Sequence, residues 1–350
     1  MTAASVPVLE GRNLTKYFWV KQTRGLFARR LPVHAVDNVS VRLEARKVTS
    51  FVGESGAGKT TVARILAEIT KPDKGEVLFD GKPVPAGRPR WYARQVQMVF
   101  QDPFASLNPV HRVRHDLERP LEIHHLANGN ARAAVDDLLN RVALKPPAQF
   151  SEKFPHELSG GQRQRVAIAR ALAVKPRVLI ADEPVSMLDV SIRLGVLNLL
   201  ADLRDREDLA ILYITHDIAS ARYLADVIVV MYAGQLVEAA PSAELTDRPA
   251  HPYTQLLLSA APDPDRVQPP SLAGRGAPPS LLAPPSGCRF HPRCPHAMDV
   301  CRRKAPPSIG VAADHIAACW LHVDPDQREA SENGSVSTAA TRSGNEMKKR

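Results

Sequence analysis

Eight consecutive residues, Gly53-Glu54-Ser55-Gly56-Ala57-Gly58-Lys59-Thr60, constrain this chain more than any other feature. They satisfy the phosphate-binding loop pattern, directly after the apolar, strand-like run Val48 to Val52 and before a helical stretch expected over Thr60 to Ile69. Glycines are needed there because the backbone must curl tightly enough to aim several N–H groups at phosphate oxygens. The following helix N-terminus adds its partial positive charge. Lys59 has the reach to meet β- and γ-phosphates, and the Thr60 hydroxyl can ligate Mg²⁺. Gly53, Ser55, Gly56, Gly58 and Thr61 complete the expected phosphate-binding set.

A second strand, Val178 to Asp182, ends in the adjacent carboxylates Asp182 and Glu183. Two acids together are costly unless cation or water chemistry uses them. Alternation along a strand lets them divide the work: Asp182 is expected in the Mg²⁺ shell, and Glu183 as the group that polarises an attacking water. Further strands are expected at Val96 to Phe100 and Ile211 to Thr215. All four strands end where a polar motif begins, which suits an open α/β sheet that binds ligands at its carboxyl ends. These features define a P-loop ATPase or GTPase and nothing narrower.

Leu158-Ser159-Gly160-Gly161-Gln162 narrows it. The pentad precedes a run expected to be helical from Arg163 to Val174, so Ser159 and the two glycines sit at a helix N-terminus, a second anion-binding feature. One nucleotide does not need two such features from one chain, so the second is read as serving a partner's nucleotide. With these residues in place the chain resembles the ABC ATPases, whose signature sequence Leu158 to Gln162 matches. The resemblance implies a RecA-like core with a helical signature subdomain. It also implies head-to-tail pairing of two nucleotide domains, each ATP lying between one subunit's phosphate loop and the other's signature.

Other positions follow from the resemblance one at a time. Gln101 matches the glutamine that touches Mg²⁺ and the attacking water, and His216 matches the switch histidine that contacts the γ-phosphate. Asp189, in Ser186-Met187-Leu188-Asp189, matches the D-loop aspartate that faces the partner, with Met187 where Ala is usual. Phe18 matches the aromatic that stacks on adenine, and neighbouring Tyr17 is the alternative one register away.

Longer stretches resemble the ATPase subunits of dipeptide and oligopeptide importers, from about Val8 to Val323. They include Val99 to Pro109, Phe154-Pro155-His156-Glu157, Leu188-Asp189-Val190-Ser191 and His251-Pro252-Tyr253-Thr254. That subfamily implies a second ATPase subunit, commonly a related but different chain. Two transmembrane permease subunits and, indirectly, an extracytoplasmic substrate-binding protein are also implied. Importers of this kind also carry glutathione or nickel chelates, so cargo stays open. A soluble ABC ATPase acting on nucleic acid or ribosomes is the rival from another class; it would carry two fused cassettes or DNA-contacting insertions. An exporter would carry a fused membrane domain.

Composition adds limits. The formal net charge of +9 is concentrated early: between Arg12 and Lys47 nine Lys/Arg meet only Asp37 and Glu44. A basic run of this kind suits nucleic acid, an anionic membrane surface or a merely solvated face. The subfamily resemblance of Val20 to Pro32 favours the membrane surface, and no nucleic-acid partner is expected. No apolar run approaches the roughly 18 to 20 residues that span a bilayer, and no secretory signal is evident, so the cytoplasmic face of the cell membrane is the expected location.

The expected organisation is a nucleotide-binding domain over 8–261, with its helical subdomain at about 104–172, and a Pro-rich linker over 262–286. A Cys-containing module over 287–323 and a disordered tail over 324–350 complete it. Cys288, Cys294, Cys301 and Cys319 all fall in the module. Five, six and seventeen residues separate them, which fits no common zinc-finger or ferredoxin spacing. Iron–sulfur, zinc and free structural thiols stay open on spacing alone. The resemblance of Gly287-Cys288-Arg289-Phe290 and Arg293-Cys294-Pro295 to the importer subfamily implies a 4Fe-4S cluster ahead of zinc.

Overall fold

The computed structural model describes residues 6–24, 27–102, 106–127, 129–260 and 276–332, with the side chains at 22–29 and 329–332 excepted. Its frame is a mixed sheet of eight strands. Five run parallel and make up one side of it, out to the edge: β3 (Val48–Val52), β6 (Val96–Val99), β7 (Val178–Asp182), β8 (Ala210–Thr215) and β9 (Val227–Tyr232), in the order β9-β3-β8-β7-β6. They are near-continuous apolar runs because both faces are covered. Alternation divides each strand between two cores. Val48, Leu179, Ala181, Ile211 and Tyr213 face one core, and Phe51, Val178, Ile180, Leu212 and Ile214 face the other.

The second core is closed by helix α1 (Lys59–Leu66) and an antiparallel sheet of β1 (Leu9–Arg24), β2 (Phe27–Leu43), β4 (Lys74–Phe79) and β5 (Lys82–Pro83). The basic stretch expected at a membrane surface forms the far end of the β1–β2 ribbon, where Lys21 pairs with Arg30. The first core includes α3 (Val113–Ile123), α4 (Ala131–Arg141), α5 (Pro147–Ser151) and α6 (Gly160–Leu172), which pack through Leu117, Leu138, Phe150 and Ile168. A short helix, α2 (Arg90–Gln95), leads into β6. Residues 103–105 of the Val99 to Pro109 stretch lie outside the described residues.

Beyond β9 the sheet turns antiparallel. Strand β10 (Gln235–Pro241) pairs with β9 on one side and with β12 (His315–Ala318) on the other, and β11 (Ser308–Ala312) forms the edge. Two strands of the Cys-bearing segment are therefore continuous with the main sheet. Buried Glu238 of β10 ties this junction: its carboxylate accepts the Ala250 and His251 backbone N–H groups, each at 2.8 Å. Its Oε1 also lies 2.8 Å from His315 Nε2. Leaving such a carboxylate unpartnered in the interior would be costly. Of the expected linker, residues 262–275 lie outside the described residues, as does the tail from 333 onward. A helix, Pro325–Glu332, occupies the first part of the expected tail.

Candidate functional site

The carboxyl ends of β3, β6, β7 and β8 open onto one cleft of about 800 Å³. Its walls include Phe18, Ser55, Gly56, Gly58, Lys59, Thr60, Thr61, Gln101, Glu183 and His216, together with Ala35, Glu54, Leu257 and Leu281. The phosphate loop leaves β3 and enters α1 through Gly58, which caps the helix at φ 99°. A Cβ there would stand 2.3 Å from the Ala35 carbonyl oxygen, so only glycine fits both the turn and the close approach. The Lys59 ammonium donates to the carbonyls of Gly53 (2.7 Å) and Glu54 (2.9 Å). Burial lowers its pKa, and the carboxylates of Glu183, Asp182 and Glu54 oppose that shift.

The Thr60 hydroxyl donates to Asp182 Oδ1 at 3.0 Å, joining α1 to the end of β7. Burial raises the Asp182 pKa, while this hydrogen bond pulls the other way. A hydroxyl and a carboxylate in contact beside a phosphate loop suit Mg²⁺, which commonly takes one or two carboxylates plus substrate oxygens. Thr60 and Asp182 would hold it. Glu183, the next residue, adopts φ 47° and is turned toward the cleft, where its Oε2 accepts from Gln101 Nε2 at 2.9 Å. His216 Nδ1 lies 3.5 Å from the same oxygen. Three residues from three strand ends thus meet at one carboxylate, an arrangement able to orient a water for in-line attack on a phosphoryl group.

At the other end Phe18 lines the cleft. Tyr17 does not: its ring packs on His34 at a centroid distance of 4.5 Å and its hydroxyl donates to Asp37 at 3.4 Å. Leu257, from the helix Pro252–Ala260, and Leu281 also line the cleft. Neither belongs to a contiguous motif, and both reach the cleft only through the chain's return after β10.

Ser159, Gly160, Gly161, Gln162 and Asp189 do not line this cleft. Ser159 caps α6 by a reciprocal box: its hydroxyl accepts the Gln162 N–H at 3.3 Å, and Gln162 Oε1 accepts the Ser159 N–H at 3.0 Å. The box starts the helix at Gly160, three residues before the expected Arg163. Gly161 packs against Ile192 so closely that a Cβ would fall 2.4 Å from its Cγ2. The signature thereby lies beside α7 (Val190–Glu207), which Asp189 precedes without a side-chain capping bond, with Met187, Val190 and Leu194 exposed nearby.

Among the described residues no group of three or more His, Cys, Asp or Glu side chains is disposed to hold a metal ion, although Cys294, Cys301 and Cys319 all act electrostatically on Cys288. All four thiols are free. Cys301 and Cys319 are buried, Cys301 in a small core with Val300, Trp320 and Val323, against which Cys288 packs. Burial pushes the Cys288 thiol up to about 12 and the Cys319 thiol up to about 11.

A P-loop sheet with an inserted helical signature region defines an ABC-type ATPase. Residues 36–186 match the family described as "ABC transporter", and residues 237–301 match "Oligopeptide/dipeptide transporter, C-terminal region". The oligopeptide transport ATP-binding protein AppF of Bacillus subtilis is 42% identical, the alignment covering 92% of this chain and 100% of AppF. The di/tripeptide transport ATP-binding protein DppF of Pseudomonas aeruginosa is 44% identical over 85% of this chain and 93% of its own. Among solved structures, the dimeric bacterial ABC transporter cassette MJ0796 superposes with a TM-score of 0.56 at 28% identity, covering 67% of this chain and 98% of the cassette. The chain belongs to the ATP-binding subunits of the oligopeptide/dipeptide ABC importers, and its activity is ATP hydrolysis coupled to transport. Among the described residues no helix is long and apolar enough to cross a membrane.

Proposed function

We propose that this chain binds ATP with its base against Phe18, Leu257 and Leu281 and its phosphates in the loop from Gly53 to Thr61. Lys59 neutralises the β- and γ-phosphates. Thr60 and Asp182 hold Mg²⁺, with Gln101 adjoining, and the bound ion supplies charge neutralisation at the developing oxyanions. Glu183 accepts hydrogen bonding from the attacking water, while Gln101 fixes the carboxylate and His216 contacts the γ-phosphate as bond breaking proceeds. The observation that carries this reading is the meeting of Gln101 and His216 at the Glu183 carboxylate, in the same cleft as Lys59 and Thr60.

The signature completes a partner's site rather than this chain's own. Its residues at the start of α6 do not line the local cleft, and the exposed apolar residues Met187, Val190 and Leu194 beside Asp189 suit a seam with a second ATPase subunit. That the similar cassette MJ0796 is dimeric supports the same reading. The partner is proposed to be a related but different chain, and the pair to work beneath two permease subunits at the cytoplasmic face of the membrane. Peptides delivered by an extracytoplasmic binding protein are the cargo. Residues 8–261 form the ATPase unit in this proposal, and residues 287–323 an appended module.

The test is trapping. Glu183→Gln chain, tagged and extracted from membranes with ATP, should retain the second ATPase subunit and integral membrane proteins. Recovery of RNA or ribosomes instead would defeat the proposal.

A further inference from the structure

The appended segment reaches the phosphate loop itself. Glu54 stands inside that loop, between Gly53 and Ser55, and its carboxylate is gripped by Arg293 through two parallel bonds, Nη1 to Oε2 and Nη2 to Oε1, each 2.9 Å. Two-point pairing of this kind fixes direction as well as distance. Arg293 is itself held: Nη1 lies 3.3 Å from the Tyr232 hydroxyl, and the guanidinium packs near the rings of Tyr232 and Phe290 at 5.8 and 5.9 Å from their centroids. Only 9% of the Arg293 side chain is exposed. The hydrogen bonds to Glu54 and Tyr232 raise the Arg293 pKa, so it stays cationic.

The backbone of Glu54 is tied to the same assembly. Its N–H donates to the Tyr253 hydroxyl at 2.9 Å, and its carbonyl accepts from Lys59. Tyr232, Tyr253 and Phe290 form one aromatic cluster, with Tyr232 and Tyr253 centroids 4.5 Å apart. Nearby, Arg289 bonds both the Ala233 carbonyl and Asp37, anchoring the segment to the end of β9 and to β2. The Leu281 carbonyl accepts the His34 N–H at 2.9 Å, which sets Leu281 against the cleft.

A negative side chain in a loop that must receive a triphosphate repels it unless neutralised. From this geometry we infer that Arg293 is a positioning residue for ATP: it neutralises Glu54 and holds the phosphate loop, making nucleotide affinity depend on the segment after the linker. The inference rests on the nucleotide site proposed above. Arg293 touches neither substrate nor reacting atoms, so it acts on binding ahead of the chemical step.

The experiment titrates full-length chain with mant-ATP and measures KM and kcat for ATP in the assembled ATPase pair. Arg293→Gln should weaken mant-ATP binding and raise KM on the order of ten-fold, the size expected for one partly buried unit charge, with kcat within about two-fold. Arg293→Lys should recover part of the loss, since it keeps charge without the two-point grip. Glu54→Gln combined with Arg293→Gln should bind more tightly than Arg293→Gln alone, because the repelling charge is gone. Affinity within two-fold of wild type in Arg293→Gln overturns the inference. So does a loss that neither Arg293→Lys nor the double variant relieves, which marks a purely structural arginine. Wild-type chain that fails to bind mant-ATP would instead overturn the nucleotide-site reading itself.

Discussion

The phosphate-loop side and the signature side of this molecule carry the same device, backbone N–H groups at a helix N-terminus, in opposite surroundings. At the phosphate loop four strand ends converge, Lys59 and Asp182 are buried, and Lys59, Thr60, Asp182, Gln101 and Glu183 are hydrogen-bonded within the chain. At the signature a single capping box starts α6, and none of the residues Ser159 to Gln162 lines the cleft. The difference teaches where the chain is self-sufficient. In the proposed reading it builds a cradle and the hydrolytic groups by itself, and a clamp that works on another molecule.

The contrast can be broken at either end. The largest effect belongs to Glu183→Gln, which removes the carboxylate where Gln101 and His216 meet. Phosphate release should fall by about 10² to 10⁴-fold while ATP still binds; retained turnover would remove Glu183 from the chemistry. Ser159→Arg should come next. It should lower hydrolysis in the assembled pair by about a hundred-fold, as loss of a preorganised donor does elsewhere, yet leave nucleotide binding to the separate chain intact. Weakened binding in the separate chain would mean that the signature serves the local cleft after all.

A smaller effect concerns stability behind the phosphate loop. His251 Nδ1 accepts the Tyr253 N–H, and the Tyr253 hydroxyl in turn accepts from Glu54. Burial drives the His251 pKa from 6.5 down to about 3. The folded form therefore excludes a proton that the unfolded chain takes up, so stability falls as pH drops below 6.5 and the fall levels off near 3. Between pH ~6.5 and ~5 this removes about 2 kcal/mol at most. Denaturant titrations of His251→Asn, which keeps an acceptor but does not titrate, should show a flatter pH slope; an unaltered slope would contradict it. Smallest of all, Phe18→Ala should weaken ATP binding by about 1 kcal/mol with kcat little altered, and Tyr17→Ala should not imitate it.

Legibility in the sequence followed contiguity. The phosphate loop, the carboxylate pair and the signature are short runs whose spacing encodes their geometry, and four central strands could be placed to within a residue because their apolar runs are bounded by polar motifs. The strand Val96 to Phe100 stops one residue early, at Val99, and α1 stops at Leu66 where Glu68 takes a positive φ. Leu257, Leu281 and Arg293 were not legible, because each reaches the cleft or its loop across more than two hundred residues of chain. The distinction between Phe18 and Tyr17 needed the ribbon's register and the partners of each ring. Spacing alone did not say what the cysteines do; folding buries Cys301 and Cys319 and packs Cys288 against the same small core.

Dependence of hydrolysis on association tests the account most directly. Specific ATPase activity of the full chain should be followed across dilution, alone and with the second ATPase subunit, with sedimentation reporting assembly at each concentration. Activity should be negligible wherever the chain is monomeric and should rise with the paired fraction. Full turnover in strictly monomeric material would contradict the claim that each site is finished by a neighbour.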